Sequence, residues 1–120
     1  MQTVDDFVGS VREGVEGRLR HHLALARGRA EAAGEPARDV ADALTRLVLR
    51  GGKRWRPVLL AAASLAVGGS VGTDAFEAGA ALELLQAYFL VQDDWMDGDD
   101  ERRGGPAVHA DLLTRDGSPH

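Results

Sequence analysis

Apolar side chains recur at helical spacing along nearly the whole chain, and no segment alternates as a strand does. Val4, Phe7, Val8, Val11, Val15, Leu19 and Leu23 follow mostly at three- and four-residue steps, one stripe of a long first helix. Gly34 and Pro36 stop it. Val40, Ala43, Leu44, Leu47 and Val48 repeat the pattern in a second helix closed by Gly51 and Gly52. Pro57 suits the first turn of a third helix, where its missing N–H has no partner to lose. Val58 to Val67 is apolar on almost every side, which predicts a central helix. Asp74, three residues before Glu77, has the spacing of a capping box. Ala78, Ala81, Leu82, Leu85 and Phe89 then carry a fourth helix to Asp97, about 35 Å long at ~1.5 Å per residue. Beyond it, glycines and Pro106 read as loop, with a short helix near Ala107 to Leu113. The chain closes on the turn-like "RDGSPH". The fold class expected is all-α.

At 120 residues there is room for one domain with a modest core. A formal net charge of −5 argues against broad nucleic-acid binding. Cysteine is absent, so disulfides, thiolate zinc sites and a cysteine nucleophile are excluded, and a cytoplasmic setting fits. The acidic start "MQTVDDFVGS" lacks the form of a signal peptide, and "VLLAAASLAV" is too short to span a bilayer.

The apolar fourth helix runs directly into "DDWMDGDDERR", six acids and then two arginines. Asp93, Asp94 and Asp97 form D-D-x-x-D at its end. Asp93 and Asp97 share a helix face, where like charges repel and the helix dipole adds to the cost. A cation relieves both. Hard oxygens on one face suit Mg²⁺, which keeps waters and shares its other positions with substrate phosphate. A Ca²⁺ loop starting at Asp97 fails, because Arg102 stands where glycine is required. Taken alone, D-D-x-x-D is more often a solvated acidic helix end.

"GGKRWRP", Gly51 to Pro57, is the second concentration of chemistry. Its glycines permit a tight turn, and Lys53, Arg54 and Arg56 lie at a helix start that itself favours an anion. Arg102 and Arg103 form a third group. Each has an ordinary surface explanation. Their combination suggests two phosphate-bearing ligands, one held through metal and one by cations directly.

These residues resemble the N-terminal half of the trans-isoprenyl diphosphate synthases (polyprenyl synthetases). Gly51, Gly52, Lys53, Arg56 and Pro57 match that family's G-G-K-x-x-R-P turn. Asp93, Asp94 and Asp97 match its first aspartate-rich motif. Arg102, Arg103, Gly104, Pro106 and His109 match the R-R-G-x-P-x-x-H that follows. The resemblance covers roughly Leu44 to His109. It implies the N-terminal helices of the isoprenoid synthase α-bundle, with residues 1–120 as part of one domain whose C-terminal half is absent. It implies head-to-tail condensation of isopentenyl diphosphate with an allylic diphosphate. Asp93 and Asp97, with Asp94 in support, would bind Mg²⁺ on the allylic diphosphate, and Arg102 would hold the same group. Lys53, Arg56, Arg103 and Gln86 would hold isopentenyl diphosphate. Tyr88 and Phe89 would floor the product tunnel and keep the product short, of geranyl or farnesyl type. A homodimer is implied for the full-length protein.

Trp55 and Trp95 are expected to pack, His109 to make a structural hydrogen bond, and His21 and His22 to be exposed. Ala107 replaces a threonine common in the family, and Gln92 stands where many members have histidine. The family's second aspartate-rich motif is absent from these residues, so the isolated chain is expected to be inactive and prone to associate. A class I terpene cyclase shares D-D-x-x-D but needs no isopentenyl pocket. A non-catalytic partner subunit of a prenyl synthase could dispense with metal ligands that are kept here. A helical interaction module explains each motif but not their order.

Overall fold

A computed structural model describes residues 2–116, with side chains as far as residue 113. Five helices follow one another: α1 (Val4–Ala33), α2 (Glu35–Leu49), α3 (Trp55–Ala66), α4 (Thr73–Asp97) and α5 (Val108–Asp116). The all-α expectation holds. The residues between α4 and α5 add what periodicity cannot reveal, a hairpin of two-residue strands, β1 (Glu101–Arg102) and β2 (Gly105–Pro106), paired antiparallel. The turn-like end expected over 115–120 lies, from residue 117 on, outside the described residues.

The first stripe is buried as its spacing demands: Val11, Val15, Leu19 and Leu23 of α1 meet Val48 of α2, Val58 and Ala61 of α3, and Ala80 and Ala87 of α4. A second cluster joins Ala43 and Leu47 of α2 to Val108 of α5. Gly34 ends α1 and begins α2, so Pro36 falls in the first turn of the second helix. Helix α4 comes very close to α1 and α3 at Gly79. A Cβ there would stand 2.9 Å from Cβ of Pro57 and 3.1 Å from Cγ2 of Val15.

Several local expectations are corrected. Helix α4 starts on Gly72 with no side-chain cap, and Asp74 sits inside its first turn. The capping box belongs instead to α1, where Thr3 and Asp6 exchange bonds. Glu77 reaches across to Arg18 and to Nε2 of His22, the latter at 2.7 Å. His22 is therefore half-buried between α1 and α4, while His21 is exposed. Neither tryptophan is buried; Trp95 is 70% exposed.

Helix α3 is not central within the described residues. Pro57, Val58 and Ala61 are buried, but Leu59, Leu65 and Val67 face outward, Val67 at 86% exposure. One side of α4 is likewise uncovered at Leu85, Tyr88, Phe89 and Met96. The radius of gyration, 16.2 Å, exceeds the about 14 Å of a compact chain this long. Among the described residues no helix is long and apolar enough to cross a membrane.

Candidate active site

The three groups of charge lie along one edge of the bundle: α3 begins beside Glu83, midway along α4, Asp93 to Asp97 close α4 further on, and the hairpin of Arg102 and Arg103 spans between them. Gly51 and Gly52 adopt positive φ, 88° and 145°, and turn the chain sharply from α2 into α3. Lys53 and Arg56 emerge from this turn exposed, and neither side chain has a polar partner among the described residues. Two free cations beside a helix start can hold a polyanion.

Arg54, the other cation of this turn, is different. It is 4% exposed, and its guanidinium is fully committed. It donates to Glu16 of α1 at 2.7 Å, to the carbonyl of Val48 at 2.6 Å and to Glu83 of α4 at 3.3 Å. Its backbone is left-handed, φ 56°. Side chains outside that region cost less, so these bonds must offset the strain. Arg54 thus ties the turn to three helices.

Helix α4 ends on Gly98 in a left-handed cap. Asp93 and Asp97 are exposed on its last turn, four residues apart and so on one face. Asp94 points the other way. It is 1% exposed, and Arg102 covers it, with Nε at 3.2 and 3.1 Å from the two carboxylate oxygens and Nη2 at 2.5 Å from Oδ1. This pairing raises the Arg102 pKa. In this structure Asp94 is buried and committed to Arg102, and the open carboxylates are Asp93 and Asp97. Among the described residues no three His, Cys, Asp or Glu side chains converge to hold a metal by themselves. Two hard-oxygen ligands on one exposed face still fit a Mg²⁺ completed by water and diphosphate oxygens.

The hairpin connects the acids to the basic turn. Arg102 pairs with Gly105, leaving Arg103 and Gly104 as a two-residue loop with φ 56° and 74°. Positive φ at both positions is the mark of a primed hairpin turn. Arg102 reaches back to Asp94. Arg103, its neighbour, reaches the opposite way and donates to the carbonyl of Leu47 at 3.3 Å, beside Gly52. Burial lowers the Arg103 pKa; Arg54, Arg102 and Arg50 add to this and Glu83 opposes it.

Arg50 fixes the hairpin from below. Its Nη2 donates to the carbonyls of Pro106 at 2.6 Å and Arg102 at 3.2 Å. A Cβ on Gly105 would stand 2.6 Å from that guanidinium, so any larger residue would push Arg50 out of this place. Neither Arg50 nor the Glu16–Arg54–Glu83 set is marked by spacing in sequence. One signal existed: Glu83 is a lone acid in the middle of an apolar helix.

The remaining residues take supporting places. Gln86 is half-buried, two turns before Asp93 on α4. Tyr88 and Phe89 make an edge-to-face contact at 5.5 Å on the uncovered side of α4. His109 makes the structural bond expected of it, Nε2 to Asp100 at 3.3 Å.

A family model described as polyprenyl synthetase matches residues 37–116, α2 through α5 together with the turn, the acids and the hairpin. The chain belongs to the polyprenyl synthetase family. It is similar to a short chain isoprenyl diphosphate synthase of Methanothermobacter thermautotrophicus, 51% identical over 63 residues, covering 52% of this chain and 19% of that protein. It is similar to a geranylgeranyl diphosphate synthase of Sulfolobus acidocaldarius, 47% identical over 68 residues, covering 57% of this chain and 20% of that protein. A geranylgeranyl diphosphate synthase of Mycobacterium tuberculosis is 51% identical over 57 residues, 48% of this chain and 16% of that protein. The matched stretch of this polyprenyl synthetase chain thus spans only 16% to 20% of these relatives' length. No solved structure matches the chain.

Proposed function

We propose that this chain is the N-terminal part of a single prenyltransferase domain that condenses isopentenyl diphosphate with an allylic diphosphate. The observation that carries the reading is the opposite reach of Arg102 and Arg103. One stands at the acidic end of α4, the other beside the basic turn, so two anions can be held side by side.

Asp93 and Asp97 would hold Mg²⁺ on the allylic diphosphate. Bound there, it neutralises charge that gathers on the leaving group. Arg102, anchored by Asp94, donates to the same diphosphate and stabilises it as the allylic C–O bond breaks and the electron pair leaves with oxygen. Lys53, Arg56 and Arg103, with Gln86, orient isopentenyl diphosphate so that its π electrons form the new C–C bond. The proton lost from the adjacent carbon goes to the departing diphosphate. The bound anion also offsets the cost that burial and the neighbouring arginines place on the Arg103 charge.

The uncovered side of α4 would line the hydrocarbon path. Tyr88 and Phe89 would form its floor, which supports a geranyl- or farnesyl-type product. The relatives named for geranylgeranyl chains make the longer product the competing outcome. The exposed apolar strip of α3 goes with burial against further helices and in a homodimer. The cysteine-free composition goes with the cytoplasm.

Calorimetric titration tests the reading. Isopentenyl diphosphate should bind without metal and lose its site in Lys53→Ala/Arg56→Ala. An allylic diphosphate should bind only with Mg²⁺ and lose its site in Asp93→Asn/Asp97→Asn. Loss of both ligands in either double variant would refute two separate subsites.

A further inference from the structure

Helix α1 contributes nothing to the recognised motifs, and it lies entirely before the matched stretch of 37–116. Yet it grips the basic turn. Nε of Arg12 donates to the carbonyl of Lys53 at 2.7 Å, across 41 residues of chain. The same guanidinium lies 5.7 Å from the ring centroid of Trp55. One helical turn on, Glu16 takes the side chain of Arg54. A single stripe of α1 therefore holds residues 53, 54 and 55 in succession.

We infer that Arg12 is a positioning residue for the diphosphate pocket: it fixes the peptide plane that presents Lys53 and Arg56 to the anion. The inference rests on the basic-turn reading above. The physical need is plain. Two positive-φ glycines and a left-handed Arg54 put three residues of this turn in backbone conformations that need outside support. A trans peptide is rigid, so a bond to the Lys53 carbonyl sets the direction of the Arg54 N–H as well. The guanidinium supplies a charge-assisted bond and a stacking face together, which a lysine cannot do in one geometry. Trp55, half-exposed and not buried in any core cluster, is held by this contact.

The test measures isopentenyl diphosphate binding to the full chain in metal-free buffer, together with amide hydrogen exchange of residues 53–55. Arg12→Ala should weaken binding about tenfold, the scale of one charge-assisted hydrogen bond. It should speed exchange at 53–55 and leave the melting temperature nearly unchanged. Arg12→Lys should recover only part of the affinity. Unchanged affinity in Arg12→Ala, with wild type binding normally, overturns the inference alone. So does full recovery by Arg12→Lys, or weaker binding with exchange at 53–55 unaltered, since both would mean that charge acts without positioning. Failure of the wild-type chain to bind would instead refute the isopentenyl pocket itself, and the inference with it.

Discussion

Arg54 and Glu83 meet at 3.3 Å with each side chain almost wholly withdrawn from water, one at the start of α3 and the other midway along α4. Breaking a buried pair strands a charge. Glu83→Ala is expected to cost about 3–5 kcal/mol, read as a shift in the urea midpoint. Replacing both by apolar residues, Arg54→Met/Glu83→Leu, should recover most of that loss. A double variant no more stable than Glu83→Ala would show that the bonds from Arg54 to Glu16 and Val48, rather than the pair, hold the turn.

The two halves of D-D-x-x-D should separate by their effect on stability. Asp93→Asn and Asp97→Asn each relieve like-charge repulsion at a helix C-terminus, so the chain should gain about 0.2–0.5 kcal/mol while losing Mg²⁺-dependent ligand binding. Asp94→Ala removes the buried partner of Arg102, whose own charge stays partly in water, and should destabilise by about 1.5–2 kcal/mol. Thermal melts of the three variants, without ligand, check this directly.

Glycines in the long helices predict opposite signs. Nothing lies within 4 Å of a Cβ added at Gly17, so Gly17→Ala should stabilise by roughly 0.5–1 kcal/mol. At Gly79 the same change meets Pro57 and Val15, and overpacking of about 1–3 kcal/mol should exceed the helical gain. Urea denaturation of the two variants is the measurement.

Glu77 links folding to pH. Its bonds to His22 and then Arg18 hold its pKa below the ordinary 4.5. A depressed carboxylate contributes in full above its unfolded value and loses that contribution as pH falls through the folded one. The stability gap between wild type and Glu77→Gln should therefore be constant near neutrality and close below pH about 4.5. A gap that persists well into acid would show that packing, not charge, is what Glu77 provides.

Helices were legible in the sequence because their order rests on local periodicity, and Pro57, Gly51 and Gly52 announced the turn by their own backbone limits. What could not be read was which neighbour of a like-charged pair faces inward. Lys53 and Arg54 look alike until α1 brings Glu16 and α4 brings Glu83 to the same point. Asp93 and Asp94 look alike until Arg102 returns through the hairpin. Burial of α3 failed for the complementary reason. An apolar helix states that it needs cover but not where that cover comes from, and Leu59, Leu65 and Val67 have none among the described residues.

Arg102 and Arg103 are joined by a single peptide bond, and Arg50 clasps the carbonyls on either side of their turn. Covalent geometry holds their backbones together, while each guanidinium takes its place from a different helix, α4 for Arg102 and α2 for Arg103. Should α4 slide against α2, the two guanidiniums would be drawn apart across that one bond. If each arginine holds an anion as proposed, the hairpin couples the two sites to the way α2 and α4 sit against one another.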